Sequence, residues 1–157
     1  ESWSGRLISI LSSCERIIAY YPLPDELQIG SILNGVGCPV YLPVIEGPAL
    51  SFRLYRDGKG GVLPLTAGPF GVRQPVEGPV LAEVTNKDAV LVPALGCNPD
   101  GFRLGRGGGY YDRSRNFLGP ARKIALLPEQ CARLSFTAEP HDMRLDLILT
   151  ENKTISL

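Results

Sequence analysis

The sequence predicts an α/β protein built on a largely parallel sheet. Short apolar runs rich in Val, Ile and Leu recur along the 157 residues. Segments with helical spacing separate them, and no internal repeat is visible. The third observation is a glycine-dense segment, Gly101-Phe-Arg-Leu-Gly-Arg-Gly-Gly-Gly-Tyr-Tyr-Asp112. It follows a strand-like stretch and precedes a helix-like one, and the carboxyl ends of strands are where ligands of such sheets gather.

In order, residues 4–16 place Leu7, Ile8, Ile10, Leu11 and Cys14 at helical spacing, which predicts a helix with one apolar face. Residues 17–21 predict a short strand, broken by Pro22-Leu-Pro24. Asp25 is the expected N-cap of a helix through Leu33. Strands are expected at 39–45 and 50–55, the second alternating Leu50, Phe52 and Leu54 with Ser51, Arg53 and Tyr55. Gly and Pro crowd residues 57–79, and Phe70, Val72 and Val76 argue for a packed loop there instead of a linker. A buried strand over 89–96 should lead into the glycine segment. A helix over 110–118, a strand over 124–127, a short helix over 128–134 and a strand over 145–150 complete the expectation.

Composition narrows the class. Hydrophobic residues make up 44% and charged residues 20% of the chain, so bulk disorder is excluded. Sixteen basic and sixteen acidic residues balance to zero net charge, which argues against nucleic acid and acidic membranes as partners. No apolar run reaches the roughly 20 residues of a membrane span. Cys14, Cys38, Cys97 and Cys131 form no metal-type pair and read as reduced packing residues of a cytoplasmic protein. Residues 103–115 are the local exception in charge, with four arginines against Asp112. That pattern suits a small anionic ligand.

Backbone N–H groups in a loop with few Cβ atoms can approach a phosphate closely, and Gly105, Gly107, Gly108 and Gly109 would supply such a loop. Arg103 and Arg106 add cationic forks, and Asp112 stands where a phosphate-bound Mg²⁺ accepts a carboxylate. A helix opening at Tyr110 would add an anion-binding N-terminus. The segment is not a P-loop, because it holds no Lys, and Tyr110 occupies the third glycine position of the dinucleotide fingerprint. Taken alone, it also fits a surface turn with solvated arginines.

The segment Arg103-Leu-Gly-Arg-Gly-Gly-Gly-Tyr-Tyr-Asp112 closely resembles that of the 5-formyltetrahydrofolate cyclo-ligase family. So, in order, do Tyr21-Pro-Leu-Pro-Asp-Glu26, Val40-Tyr-Leu-Pro43, Gln74-Pro75, His141-Asp-Met-Arg-Leu-Asp146 and Thr150-Glu151. The resemblance spans nearly the whole chain and implies a three-layer α/β/α fold over residues 1–157 as one domain, with a glycine-rich phosphate loop between a strand and a helix. It implies cyclisation of 5-formyltetrahydrofolate to the 5,10-methenyl form, with ATP as co-substrate and Mg²⁺ as cofactor, by a cytoplasmic monomer.

The implied nucleotide residues are Arg103, Leu104, Gly105, Arg106, Gly107, Gly108, Gly109, Tyr110 and Tyr111. The implied folate residues are Tyr21, Glu26, Phe70, Arg106, Gly107, Gly108, Gly109 and Tyr110. Arg106 and Tyr110 are the implied catalytic pair, and Asp112 with Asp146 the implied Mg²⁺ ligands. Tyr21 and Phe70 equally fit plain core positions, and Glu26 equally fits an acid in a first helical turn. One of Tyr110 and Tyr111 should be packing, since neighbours on a helix point apart. His141, the one histidine, reads as structural.

Departures bear on the nucleotide. Family members carry a further N-terminal helix whose Lys and Arg contact ATP phosphates, and the present sequence starts after it. Cys97-Asn98 stands where Phe-Asp is frequent, and Gly108 where some members have Lys. The expectation is therefore stronger folate than ATP binding. The competing expectations are a non-catalytic folate- or nucleotide-binding protein and, more weakly, another sugar-phosphate or acyl-group enzyme of related fold.

Overall fold

The computed structural model describes residues 2–157. Helix α1 spans Trp3–Leu11, with Ser2 accepting the Gly5 N–H at 3.1 Å as N-cap and Leu7 and Leu11 buried one turn apart. It stops well before residue 16. Ser12 and Ser13 turn their hydroxyls back onto the carbonyls of Ser9 and Ile10, and the chain then enters β1 (Arg16–Ile18).

Asp25 is not a helix cap. Pro22 and Pro24 remove backbone donors from this stretch, and side chains organise it as a turn. Glu26 accepts the Leu23 N–H at 2.7 Å, and Gln28 donates to the Leu23 and Glu26 carbonyls. Helix α2 starts only at Gly30 (Gly30–Gly35), after Ile29 and without a side-chain cap.

The hairpin of β2 (Val40–Glu46) and β3 (Ala49–Arg56) matches the sequence reading to within a residue. Gly47 takes φ 63° ahead of Pro48, a positive-then-negative pair that suits a two-residue hairpin turn. The region expected to be a packed loop contains a small ribbon, β4 (Leu65–Ala67) against β5 (Arg73–Pro75). Val76 and Phe70 do not pack it down: they are 51% and 77% exposed. Backbone pairing does so instead, with Leu54 donating to Pro79 and Leu81 to Phe52.

Strand β6 (Asp88–Leu91) ends earlier than expected. A second ribbon follows, β7 (Gly96–Cys97) and β8 (Arg103–Leu104), the latter lying within the glycine segment. The helix expected over 110–118 is two single turns, α3 (Tyr110–Arg113) and α4 (Arg115–Leu118). Ser114 breaks it by bonding its hydroxyl back to the Tyr110 carbonyl at 2.8 Å. Strand β9 (Arg122–Leu126), a 3₁₀ turn at Glu129–Cys131, β10 (Leu147–Leu149) and β11 (Thr154–Ser156) follow; β11 was not expected.

The main sheet runs β11-β10-β9-β6-β1-β2-β3. The five inner strands are mutually parallel, and β3 and β11 close the two edges antiparallel. Successive side chains on a strand face opposite sides, so inner strands covered on both faces read as near-continuous apolar runs. The residues of β6 are accordingly all buried. Ile17, Ala89, Leu91 and Leu147 join one core with Leu7, Leu11, Ile32 and Leu33 of α1 and α2. Ile18, Val90, Val92 and Ile148 join the other with Tyr111 and Leu118 of α3 and α4. This is the three-layer α/β/α arrangement. At the starts of β1 and β6, the buried Asp88 carboxylate holds Arg16 at 2.7 Å and accepts the Thr85 N–H at 2.8 Å. That pair raises the Arg16 guanidinium above its usual range.

Candidate active site

The inner strands deliver their carboxyl ends to one rim of the sheet, and two adjoining cavities open there. The first, of about 330 Å³, lies beyond β1, β2 and β6 and is walled mainly by apolar groups. Tyr21, Glu26, Phe70, Arg106, Gly108, Gly109 and Tyr110 all line it, so the structure gathers these expected folate residues in one place; Gly107 stands apart. Tyr21 lies beneath the Arg73 guanidinium, 5.7 Å from its carbon. Phe70 is no core residue. It is 77% exposed, in the left-handed region at φ 60°, with its ring edge-on to Tyr110 at 6.3 Å.

The glycine segment forms the roof. Gly107 and Gly109 take φ 97° and 72°, conformations that favour glycine. A Cβ on Gly105 would fall 2.7 Å from the Arg103 guanidinium. That guanidinium cannot retreat, because Arg103 Nε donates to the Pro93 carbonyl at 2.7 Å and the group stacks 5.2 Å from the Tyr111 ring. Burial lowers the Arg103 pKa, and nearby Asp112 opposes the shift. Arg103 thus braces the loop from inside while touching the cavity. Leu104 and Gly105 do not line it.

Arg106 is the more available cation. Its Nη2 lies 3.2 Å from Asp25 Oδ2 and 3.9 Å from Glu26 Oε2. The two tyrosines part as their adjacency requires. Tyr110 is held between Phe70 and the Arg113 guanidinium, which stacks at 4.8 Å. Tyr111 turns inward, and burial pushes its phenol up; the buried hydroxyl has no protein partner. The helix that follows is a correction to the expected anion site. At four residues, α3 has almost no dipole to offer, so backbone N–H groups and arginines must serve any anion here.

As seated, Asp112 and Asp146 do not fit a shared Mg²⁺. Asp112 Oδ1 accepts the Met143 N–H at 2.8 Å and lies 3.8 Å from Arg103. Asp146 Oδ2 accepts the Lys123 N–H at 2.9 Å, with the Lys123 ammonium 3.7 Å away. A protein cation therefore stands beside each carboxylate, and neither residue lines either of these two cavities. Among the described residues no group of three or more metal-ligating side chains occurs. His141 is exposed beside Glu139 and Asp142, away from both cavities.

The second cavity, about 710 Å³, lies beyond β9 and β10. Its walls include Trp3, Leu126, Leu127 and Leu149, and it shares Tyr20, Glu26, Ala94 and Arg106 with the first. Sequence reasoning passed over Tyr20, Pro93 and Ala94. Their signal was position, toward the carboxyl ends of the strands expected over 17–21 and 89–96.

Fold and site together define an α/β enzyme whose paired cavities meet under a glycine-rich roof. The 5-formyltetrahydrofolate cyclo-ligase family model matches residues 1–151, and the chain belongs to that family. It is 32% identical over 166 residues to the 5-formyltetrahydrofolate cyclo-ligase of Mycolicibacterium smegmatis, covering 99% of this chain and 83% of that one. Over 158 residues it is 32% identical to the Mus musculus protein of the same name, covering 90% and 76%. The NMR structure of Aquifex aeolicus 5,10-methenyltetrahydrofolate synthetase superposes with a TM-score of 0.70 at 26% identity, covering 98% of this chain and 80% of that one. No described helix is long and apolar enough to cross a membrane.

Proposed function

We propose that the chain binds 5-formyltetrahydrofolate in the first cavity and ATP in the second, and closes the folate to its 5,10-methenyl form with release of ADP and phosphate. One observation supports this above the rest: the two cavities share a wall, and Arg106 stands in it. In this reading Tyr21, Phe70 and Tyr110 flank the flat pteridine, and Glu26 accepts hydrogen bonds from its ring N–H groups. The formyl oxygen then faces the shared wall. Phosphoryl transfer from ATP to that oxygen makes it a leaving group. Nitrogen 10 attacks the same carbon, and phosphate departs as the C–O bond breaks, carrying away the proton that nitrogen 10 gives up.

No protein nucleophile is needed. The chain's contribution is positioning and charge neutralisation, which in this reading fall to Arg106 and the backbone of Gly108 and Gly109 beside it. Arg106 is held by Asp25 and Glu26 beforehand and exchanges these partners for phosphate oxygens. Both substrates are small molecules, and the reaction asks for no macromolecular partner. The test is ATP consumption by the purified chain with and without 5-formyltetrahydrofolate, alongside the near-ultraviolet absorbance of the methenyl product. Consumption that ignores folate overturns the reading. Folate binding without any turnover favours a binding protein.

A further inference from the structure

The second cavity has a polarity that the shared wall fixes. If ATP reacts with a folate in the first cavity, its terminal phosphate must reach the common boundary at Arg106, Glu26 and Ala94. The opposite end of the nucleotide then meets the wall that belongs to the second cavity alone. That wall is apolar at Leu126, Leu127 and Leu149, and it carries one aromatic residue, Trp3.

Trp3 opens α1, and its position there is fixed. Three residues on, Arg6 crosses to the far end of the sheet, donating from Nη2 to the Thr150 carbonyl at 2.6 Å and from Nη1 to Thr154 Oγ1 at 3.0 Å. This ties α1 to the turn between β10 and β11. Trp3 is half-buried, packed against the core through part of its ring with the remainder lining the cavity. A rigid, partly desolvated indole beside aliphatic strand ends is a surface on which a planar heterocycle stacks. Glu151 lines the same cavity and is an acceptor suited to ribose hydroxyls.

We infer that Trp3 is the base-stacking wall of the nucleotide cavity, so that the indole selects for the heterocycle of ATP while Arg106 meets its phosphates. This rests on the ATP-dependent reading above. No part of the glycine segment supplies such a surface, because Tyr110 and Tyr111 line the first cavity and not the second.

The chain contains one tryptophan, so its emission reports this wall alone. In titrations of the 157-residue chain, ATP with Mg²⁺ and ADP should change the tryptophan emission saturably. Inorganic tripolyphosphate, which has no base, should leave it unchanged. Trp3→Ala should weaken calorimetric ATP binding by about 10-fold, as loss of one base–aromatic stack does. Trp3→Phe should keep it within a few-fold. 5-Formyltetrahydrofolate binding, confined to the first cavity, should be equal in all three proteins and certify that the variants are folded. ATP binding by calorimetry with unaltered emission and undiminished affinity in Trp3→Ala overturns the inference and leaves the proposed function standing. Absence of both ATP binding and folate-dependent ATP consumption removes the proposed function, and this inference falls with it.

Discussion

At Arg106 the fold and the chemistry separate cleanly. Its ion pairs with Asp25 and Glu26 are partly solvated, so they stabilise the protein by little, about 1 kcal/mol at most. Arg106→Ala should therefore leave the unfolding midpoint almost unmoved. If Arg106 faces the charge that grows during phosphoryl transfer, turnover should fall by roughly 100–1000-fold. A variant with near-normal turnover would take Arg106 out of the site. A different residue governs acid stability in the loop after β3. Asp57 accepts the Lys59 and Gly61 N–H groups at 2.7 and 2.9 Å, and these bonds hold its carboxyl below its ordinary 3.8. A depressed carboxylate pKa gives stability that is complete above the unfolded value and is lost as pH falls through the folded one. The stability gap between wild type and Asp57→Asn should thus close below about pH 3.8, which acid-dependent urea unfolding can follow. A gap unchanged down to pH 2 or so would show that the bonds do not discriminate protonation states.

Among the elements, the sheet was the most legible in the sequence. Residues buried on both faces read as continuous apolar runs, and β2 and β3 add a glycine turn. The helices were less legible because local hydrogen bonds ended them: serine hydroxyls after α1, Ser114 between α3 and α4, and the proline-bound turn around Asp25. None of these leaves a mark on apolar spacing. The two-residue strands β7 and β8 are too short for any periodicity, and β11 follows so soon after β10 that it read as tail. The glycine roof and Glu26 were legible as residues; the partition of Tyr110 and Tyr111 was legible only as a requirement that they diverge. The family resemblance paired Asp112 with Asp146, whereas the folded chain sets Arg103 beside the one and Lys123 beside the other. Asp112→Asn and Asp146→Asn should consequently act separately: the double variant should lose the product of the single losses, with the Mg²⁺ requirement unchanged. Half-activity moving to higher Mg²⁺ in both singles, with a non-multiplicative double, would restore a shared ion. At the start of β1, Asp88→Ala should cost about 1–3 kcal/mol in urea unfolding, since the Thr85 N–H and the Arg16 guanidinium lose a buried acceptor. A loss under about 1 kcal/mol would mean that water replaces the carboxylate there.

For the molecule as a whole, two cores on opposite faces of one sheet converge on a single rim, where the cavities lie. A ligand at that rim is linked to the entire unfolding transition. At 100 times its dissociation constant, 5-formyltetrahydrofolate should stabilise the chain by about 2.7 kcal/mol and raise the midpoint by roughly 5–10 °C. No shift at saturation would place the folate elsewhere or nowhere. Phe70 sets one position against this general stability. It is the only non-glycine among the described residues at positive φ, and its ring is mostly in water. A side chain held in the left-handed region costs on the order of 1–2 kcal/mol, and so exposed a ring returns little through burial. Phe70→Gly should therefore keep or raise the unfolding midpoint while folate affinity drops. A marked loss of stability would show that the ring braces the roof. Heat resistance and ligand retention thus pull this position in opposite directions: a screen for thermal survivors would discard the aromatic, and a screen for turnover would keep it.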